Sequence, residues 1–341
     1  MNRIEQKHRR TVLIMGIALI LCILGSFTLG RYPVPLKELL GILANKLGLN
    51  IAPFWTASME AAVWNIRLPR VILSVLVGAC LAAAGGAYQG VFQNPMASPD
   101  ILGASAGAGF GAALAILLGA SRMGITLGAF ASSLVTVALV FTVSRYTRGD
   151  RVLGLVLAGI MISSLFQSGT SFLKLVADPN NQLPQITYWL MGSLSGAKWQ
   201  DIGFVLLPML SGLIPLILLR WQLNVITMGD DEARAMGVNP QSIRRWTAIC
   251  ATLVTASAVS VSGMIGWVGL VIPHMMRRIV GSDYRYLMPA SMLGGSIFLL
   301  VVDNVSRNAT ASGIPIGILT AFIGAPFFLW LITGKGDHYA H

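Results

Sequence analysis

Arg67 and Arg70 stand three residues apart in Arg67-Leu68-Pro69-Arg70, so they share one face of any helix that holds them. Arg307 closes a second apolar stretch. Guanidinium groups at the ends of apolar helices suit two tasks. They recognise carboxylates through charge-assisted, often bidentate, hydrogen bonds, or they reach out to lipid headgroups. Asp303 lies four residues before Arg307, and this spacing predicts a local ion pair between them. Another cluster, Asp230-Asp231-Glu232, opens a polar stretch that ends at Gly237 and is followed by Asn239-Pro240. Acids suit a helix N-terminus, glycine a left-handed helix end, and Asn-Pro the cap and first turn of a following helix. The predicted element is a short charged helix. It is either a solvated surface helix or a coupling element that docks on a partner.

Residues 85–109 read GGAYQGVFQNPMASPDILGASAGAG and lie between two apolar segments. They carry Gln89, Gln93, Asn94, Ser98 and Asp100 together with Pro95 and Pro99. In a membrane such groups must find partners inside protein or in a water-filled cavity. Two readings fit: the narrow part of a translocation path, or a helix–turn–helix whose small residues allow close packing.

Residues for covalent or metal chemistry are sparse. Cys22, Cys80 and Cys250 are far apart in apolar sequence, lack metal-ligand spacing and read as packing residues. His8, His338 and His341 lie near the termini, and His274 follows Pro273. His274 is expected to satisfy a local hydrogen bond or to support a cytoplasmic contact; a substrate ligand is the other reading. No G-x-x-x-x-G-K-[ST] loop is present, so ATP binding of that kind is not expected on this chain. No catalytic, cofactor-binding or metal residue is predicted.

The elements that position these groups follow from composition. The chain is 55% hydrophobic and 11% charged, against roughly 25% charged in soluble domains. The fold class is therefore all-α, a polytopic membrane protein forming one domain over residues 1–341. Ten membrane helices are predicted, at 11–30, 64–92, 100–120, 124–145, 152–175, 202–220, 241–262, 266–280, 286–306 and 313–333. The first follows basic Arg3, Lys7, Arg9 and Arg10 and is too long for a signal-peptide core, so it reads as an uncleaved span. With the N-terminus inside, most of the 24 lysines and arginines fall on inner segments, and both termini are cytoplasmic. This bias accounts for the net charge of +11, and nucleic-acid binding is not expected. The outer segment 31–63 reads as a partly ordered loop with interfacial aromatics. The outer segment 176–201 carries an apolar patch, 186–194, too short to span, which reads as an interfacial or re-entrant helix. Glycine-rich interruptions near 85–95 and 263–269 suggest an inverted internal repeat.

Several motifs then carry a resemblance. Arg67-Leu68-Pro69-Arg70, Gln93-Asn94-Pro95-Met96-Ala97-x-Pro99-x-Ile101-Leu102-Gly103, Trp189-x-x-Gly192-Ser193-Leu194, Gly266-x-Val268-Gly269-Leu270-Val271-Ile272-Pro273-His274 and Pro315-x-Gly317 with Gly324-Ala325-Pro326-Phe327-Phe328 occur in this order. Over essentially its whole length the chain resembles the membrane subunits of the iron-chelate, haem and cobalamin uptake family of ATP-binding-cassette importers. The resemblance implies two ten-helix subunits, identical or paralogous, around a central path in the cytoplasmic membrane of a prokaryote. It implies two cytoplasmic ATPase subunits, which carry ATP and Mg, and an extracytoplasmic binding protein. By motif, Arg67, Arg70 and Arg307 dock acidic residues of the binding protein. Asn94 and Met96 form a cytoplasmic gate with the turn at 145–150. Within the coupling segment 221–240, residues Asp230, Asp231, Glu232, Ala233, Arg234, Ala235, Met236 and Gly237 rest on the ATPase.

The expected function is that of an importer permease without catalysis of its own, carrying a metal chelate. A ferric siderophore is preferred over haem or cobalamin, with specificity mostly in the binding protein. An ATP-independent secondary transporter would need intramembrane charged pairs, and the sequence offers only Asp100 and Asp303. A membrane enzyme would need a cluster of His, Asp, Glu or Cys at one depth, and none is visible.

Overall fold

A computed structural model describes residues 3–30, 32–49, 51–147, 151–310 and 313–333. Every regular element among them is helical. The described chain begins with α1 (Arg3–Thr28), α2 (Leu36–Lys46) and α3 (Ala57–Ala61), then a π-helical turn, Ala62–Arg67, leads into α4 (Leu68–Val91). A 3-10 turn, Pro99–Leu102, joins α4 to α5 (Ala104–Leu117), followed by α6 (Arg122–Ser144) and α7 (Arg151–Val176). Next come α8 (Gln182–Leu190), α9 (Trp199–Leu218), α10 (Arg220–Thr227) and α11 (Asp230–Ala235). The chain ends in α12 (Pro240–Ser262), α13 (Val268–Val280), α14 (Tyr284–Ala309) and α15 (Ile316–Thr333).

Each of the ten predicted spans falls on one of these helices. Among the described residues, six stretches are long and apolar enough to cross a membrane: those of α1, α3–α4, α6, α7, α9 and α14. The helices α5, α12, α13 and α15 are shorter or more polar. Two outer segments differ from expectation. Residues 31–63 are not merely a loop, because Leu39 and Ile42 of α2 are buried at helical spacing and Phe54 and Trp55 cover Gly41. The apolar patch near 186–194 belongs to a helix that starts earlier, at Gln182, and stops at Leu190. It stops because Gly192 takes a left-handed conformation (φ +73°) and its Cα lies against the Met264 carbonyl.

The core forms around α4, which packs on α12, α13 and α14. Glycine permits the closest crossing: a Cβ on Gly85 would lie 1.8 Å from the Gly269 carbonyl oxygen. Such small-residue contacts are the usual way helices approach inside a membrane. Several buried hydroxyls of α12 are satisfied within the helix; Thr255, Ser257 and Ser262 donate to carbonyls four residues back at 2.7–2.8 Å, whereas Thr247 Oγ1 is buried without a partner among the described residues. Tyr88 of α4 reaches across to Thr252 Oγ1 at 3.0 Å. Where α12 breaks, backbone bonds tie three helix ends together. Ser193 N donates to Ser262 O at 2.7 Å, and Ile316 N donates to Gly192 O at 2.8 Å. By contrast α1 and α7 keep most of their surface open.

Candidate functional site

Polar groups gather in three places. The first is a cavity of about 280 Å³ lined by Arg67, Arg70, Tyr188, Ser193, Ser306 and Arg307, among others. The π-helical turn and α4 present the first two arginines, and α14 presents Arg307. Arg70 Nε lies 2.9 and 3.0 Å from the two carboxylate oxygens of Asp303, which is wholly buried. This corrects the expected Asp303–Arg307 pair. Packing of α4 against α14 brings Arg70 to Asp303, while Arg307 turns towards α1 and donates to Ser26 O at 2.6 Å and to Asn304 Oδ1. Arg67 is 6% exposed and donates to the backbone carbonyls of Phe27 and Tyr32. It thereby occupies one of the carbonyls that the end of α1 leaves unpaired. Arg307 Nε is buried without a partner. Three guanidinium groups thus line the cavity and one of them is paired with a carboxylate, which leaves the cavity suited to a further anionic group.

The second place is the 85–109 stretch. Its glycines allow close packing, and Gln89, Gln93, Asn94 and Asp100 find partners within the protein. Gln89 donates to Leu270 O at 3.2 Å and accepts from Arg277 Nη1 at 2.8 Å. Arg277 also reaches the Tyr284 hydroxyl, which donates to Gly86 O at 2.9 Å. This link between α4, α13 and α14 was not foreseen; a glutamine inside an apolar helix was its only sequence signal. Gln93, with φ +50°, donates to Ile226 O at 2.7 Å and so ties the turn to α10. Asn94 Oδ1 accepts from Met96 N at 2.8 Å, which shapes the turn. Asn94 and Met96 stand exposed on the chain. Arg145 lies just beyond α6, and residues 148–150 of the 145–150 turn lie outside the described residues. His274 Nε2 is buried without a hydrogen-bond partner among the described residues, so the expected local hydrogen bond is not made at that nitrogen.

The third place is α11. Its three acids occupy the first turn, Gly237 has φ +77°, and Asn239 Oδ1 caps α12 by accepting from Ser242 N at 3.2 Å. Arg244 of α12 grips Asp230 with two bonds, 2.9 and 2.6 Å. These bonds hold the Asp230 carboxyl below the usual carboxylate range. Ala233 and Val238 bury their side chains beneath the helix. Asp231, Glu232, Arg234, Ala235, Met236 and Gly237 remain exposed. The helix is therefore anchored on one face and open on the other.

A family model for the FecCD transport family matches residues 18–334. The chain belongs to the FecCD transport family. This permease is 37% identical over 319 residues to the molybdate import system permease protein MolB of Haemophilus influenzae, covering 93% of this chain and 94% of that protein. It is 37% identical over 339 residues to the hemin transport system permease protein HmuU of Yersinia pestis, covering 95% and 96%. Among solved structures it is similar to an ABC transporter assigned to the metal-chelate type in an inward-facing conformation, with TM-score 0.85, 34% identity, and coverage of 95% of this chain and 99% of that one. The permease is thus a multi-pass membrane subunit of a prokaryotic ATP-binding-cassette importer. ATP hydrolysis belongs to a separate subunit, and an importer of this kind works with an ATPase and a binding protein.

Proposed function

We propose that this permease carries a ferric siderophore across the cytoplasmic membrane, as one half of a dimeric pathway with ten crossings per chain and both termini inside. The single observation that carries the transport reading is the polar interruption between α4 and α5, flanked by the arginine cavity and the open face of α11. Arg307, with Arg70 and Arg67 behind it, receives carboxylates of the binding protein. Asn94 and Met96 close the path on the cytoplasmic side. The segment 230–237 rests on the ATPase and passes its movement to α12 through Arg244. ATP then favours one of two arrangements of the paired subunits, which requires that it stabilise them unequally. The siderophore reading draws on the metal-chelate type of the similar transporter, and the hemin relative favours haem as the second reading.

Uptake into proteoliposomes holding the permease, its ATPase and its binding protein tests the proposal. The panel is a ferric siderophore, haem and cobalamin, each with and without ATP. ATP-dependent uptake of the siderophore alone is the expected result. Uptake of haem or cobalamin instead transfers the substrate assignment, and uptake without ATP overturns the mechanism.

A further inference from the structure

A second cavity, of about 660 Å³, lies away from the arginine cluster. One wall is a polar face of α7: Ser163, Ser164, Gln167, Thr170, Ser171 and Lys174 recur every three or four residues. That spacing keeps them on one side of the helix. Leu165 and Phe172, on the remaining surface, are 64% and 62% exposed, as suits contact with lipid. A polar stripe on an open transmembrane helix faces a water-filled space, because lipid would not accept it. The volume is that of a site for a small organic ligand.

The chemistry of the wall is uneven. Ser163, Ser164, Thr170 and Ser171 donate their hydroxyl protons to carbonyls four residues back, at 2.6–3.0 Å. Gln167 and Lys174 keep their N–H donors free of any bond within the described residues. At the far end Asp100 is held by the Ser105 hydroxyl. Gly159 packs against the Ile101 carbonyl, which sets Asp100 about 20 Å along α7 from Lys174 by helical rise. Gln167 thus lies midway along the wall, about 10 Å from either end by helical rise, and Lys174, the one cation among the described residues of the wall, stands at the end away from Asp100.

We propose that this cavity is a cargo-binding stretch of the path that selects an anionic, oxygen-rich chelate, with Lys174 setting the charge preference and Gln167 donating to the cargo. The inference rests on the importer reading above. It also means that the path contributes to specificity instead of leaving all of it to the binding protein.

The test uses the permease–ATPase complex in proteoliposomes. Ser171→Cys adds one thiol inside the cavity, and the unmodified chain, with Cys22, Cys80 and Cys250, supplies the background rate. Reaction is timed with small thiol reagents of matched size, one carrying a sulfonate and one a quaternary ammonium. With Lys174 present the anionic reagent reacts faster; with Lys174→Glu the ratio of rates shifts towards the cationic one by about tenfold. Lys174→Gln, which keeps the size and polarity, should give an intermediate ratio and guards against misfolding by Lys174→Glu. A thiol unreactive to both reagents, or a ratio that ignores residue 174, overturns the proposal. ATP-driven uptake of anionic ferric citrate, with the binding protein present, should fall with Lys174→Gln. Charge-selective labelling with no ATP-driven uptake by the unsubstituted complex would instead strike the importer reading, and the cargo assignment with it.

Discussion

Asp303 sits where a carboxylate is tolerated only because Arg70 meets it. Asp303→Ala leaves Arg70 largely buried beside two other guanidinium groups, and truncating one member of such a pair costs about 3–5 kcal/mol. The expected readout is a lower midpoint of thermal unfolding in detergent. Asp303→Leu combined with Arg70→Met removes both charges and should recover most of the loss; a double variant no better than the single one refutes this account. Gly85→Val tests packing in the same way. Its side chain would meet the Gly269 backbone, and overpacking of this kind costs about 1–3 kcal/mol. Gly266→Ala, with nothing within 4 Å of the added carbon, is the control and should leave the midpoint nearly unchanged. At this scale the sequence was a partial guide. It picked out the charged residues, because charge is rare in the chain. It mispaired Asp303, because spacing along one helix says nothing of a neighbour that arrives from residue 70. It expected a local hydrogen bond or a cytoplasmic contact for His274, and no donor or acceptor among the described residues reaches Nε2.

Helices were more legible than contacts. Apolar runs and their interruptions located helices at each of the ten predicted segments, six of them long and apolar enough to cross a membrane, and the cap residues around α11 and α12 took the roles that their chemistry suggests. The element least visible was α2, which the sequence placed in a partly ordered loop with interfacial aromatics, since a short helix set among prolines and aromatic residues is too short to read as a span. Its Lys46 is paired with Glu60 at 2.6 Å, a contact that closes the loop from the other end. The α11 element carries its own prediction. Ala233→Glu forces a charge into the buried underside and lifts the helix from its seat, whereas Asp230→Asn only loosens the grip of Arg244. The first should abolish co-purification of the ATPase and the second should reduce it, while the permease stays monodisperse. The Asp230–Arg244 pair is partly exposed, so its own share of stability is about 1 kcal/mol or less. Retained ATPase with Ala233→Glu would show that the coupling contact lies elsewhere.

Across the whole molecule the docking and coupling assignments lie on separate elements, so their variants should act separately. Arg307→Ala is expected to weaken capture of the binding protein by about tenfold, the scale of one hydrogen bond to a charged group. ATPase assembly should not change. Surface plasmon resonance on the reconstituted complex measures the first, and co-purification the second. Binding-protein affinity equal to that of the unsubstituted chain would remove Arg307 from the docking surface. The division is possible because the polar groups of this chain are few and local, while the apolar framework between them is continuous.

The attachment of α1 has a consequence in time. Its final turn is claimed first by Arg67 and later by Arg307 and Asn304, and the Ser26–Asn304 bond joins residues 278 positions apart. At about 5–20 residues per second, synthesis of the intervening chain takes roughly 15–55 s. For that interval the first helix is in the membrane with one of its two permanent clasps unmade. A ribosome stalled before α14 would therefore leave a nascent chain whose leading helix is held at this end by Arg67 alone, and the end of the first helix is among the last parts of the molecule to be fully fastened.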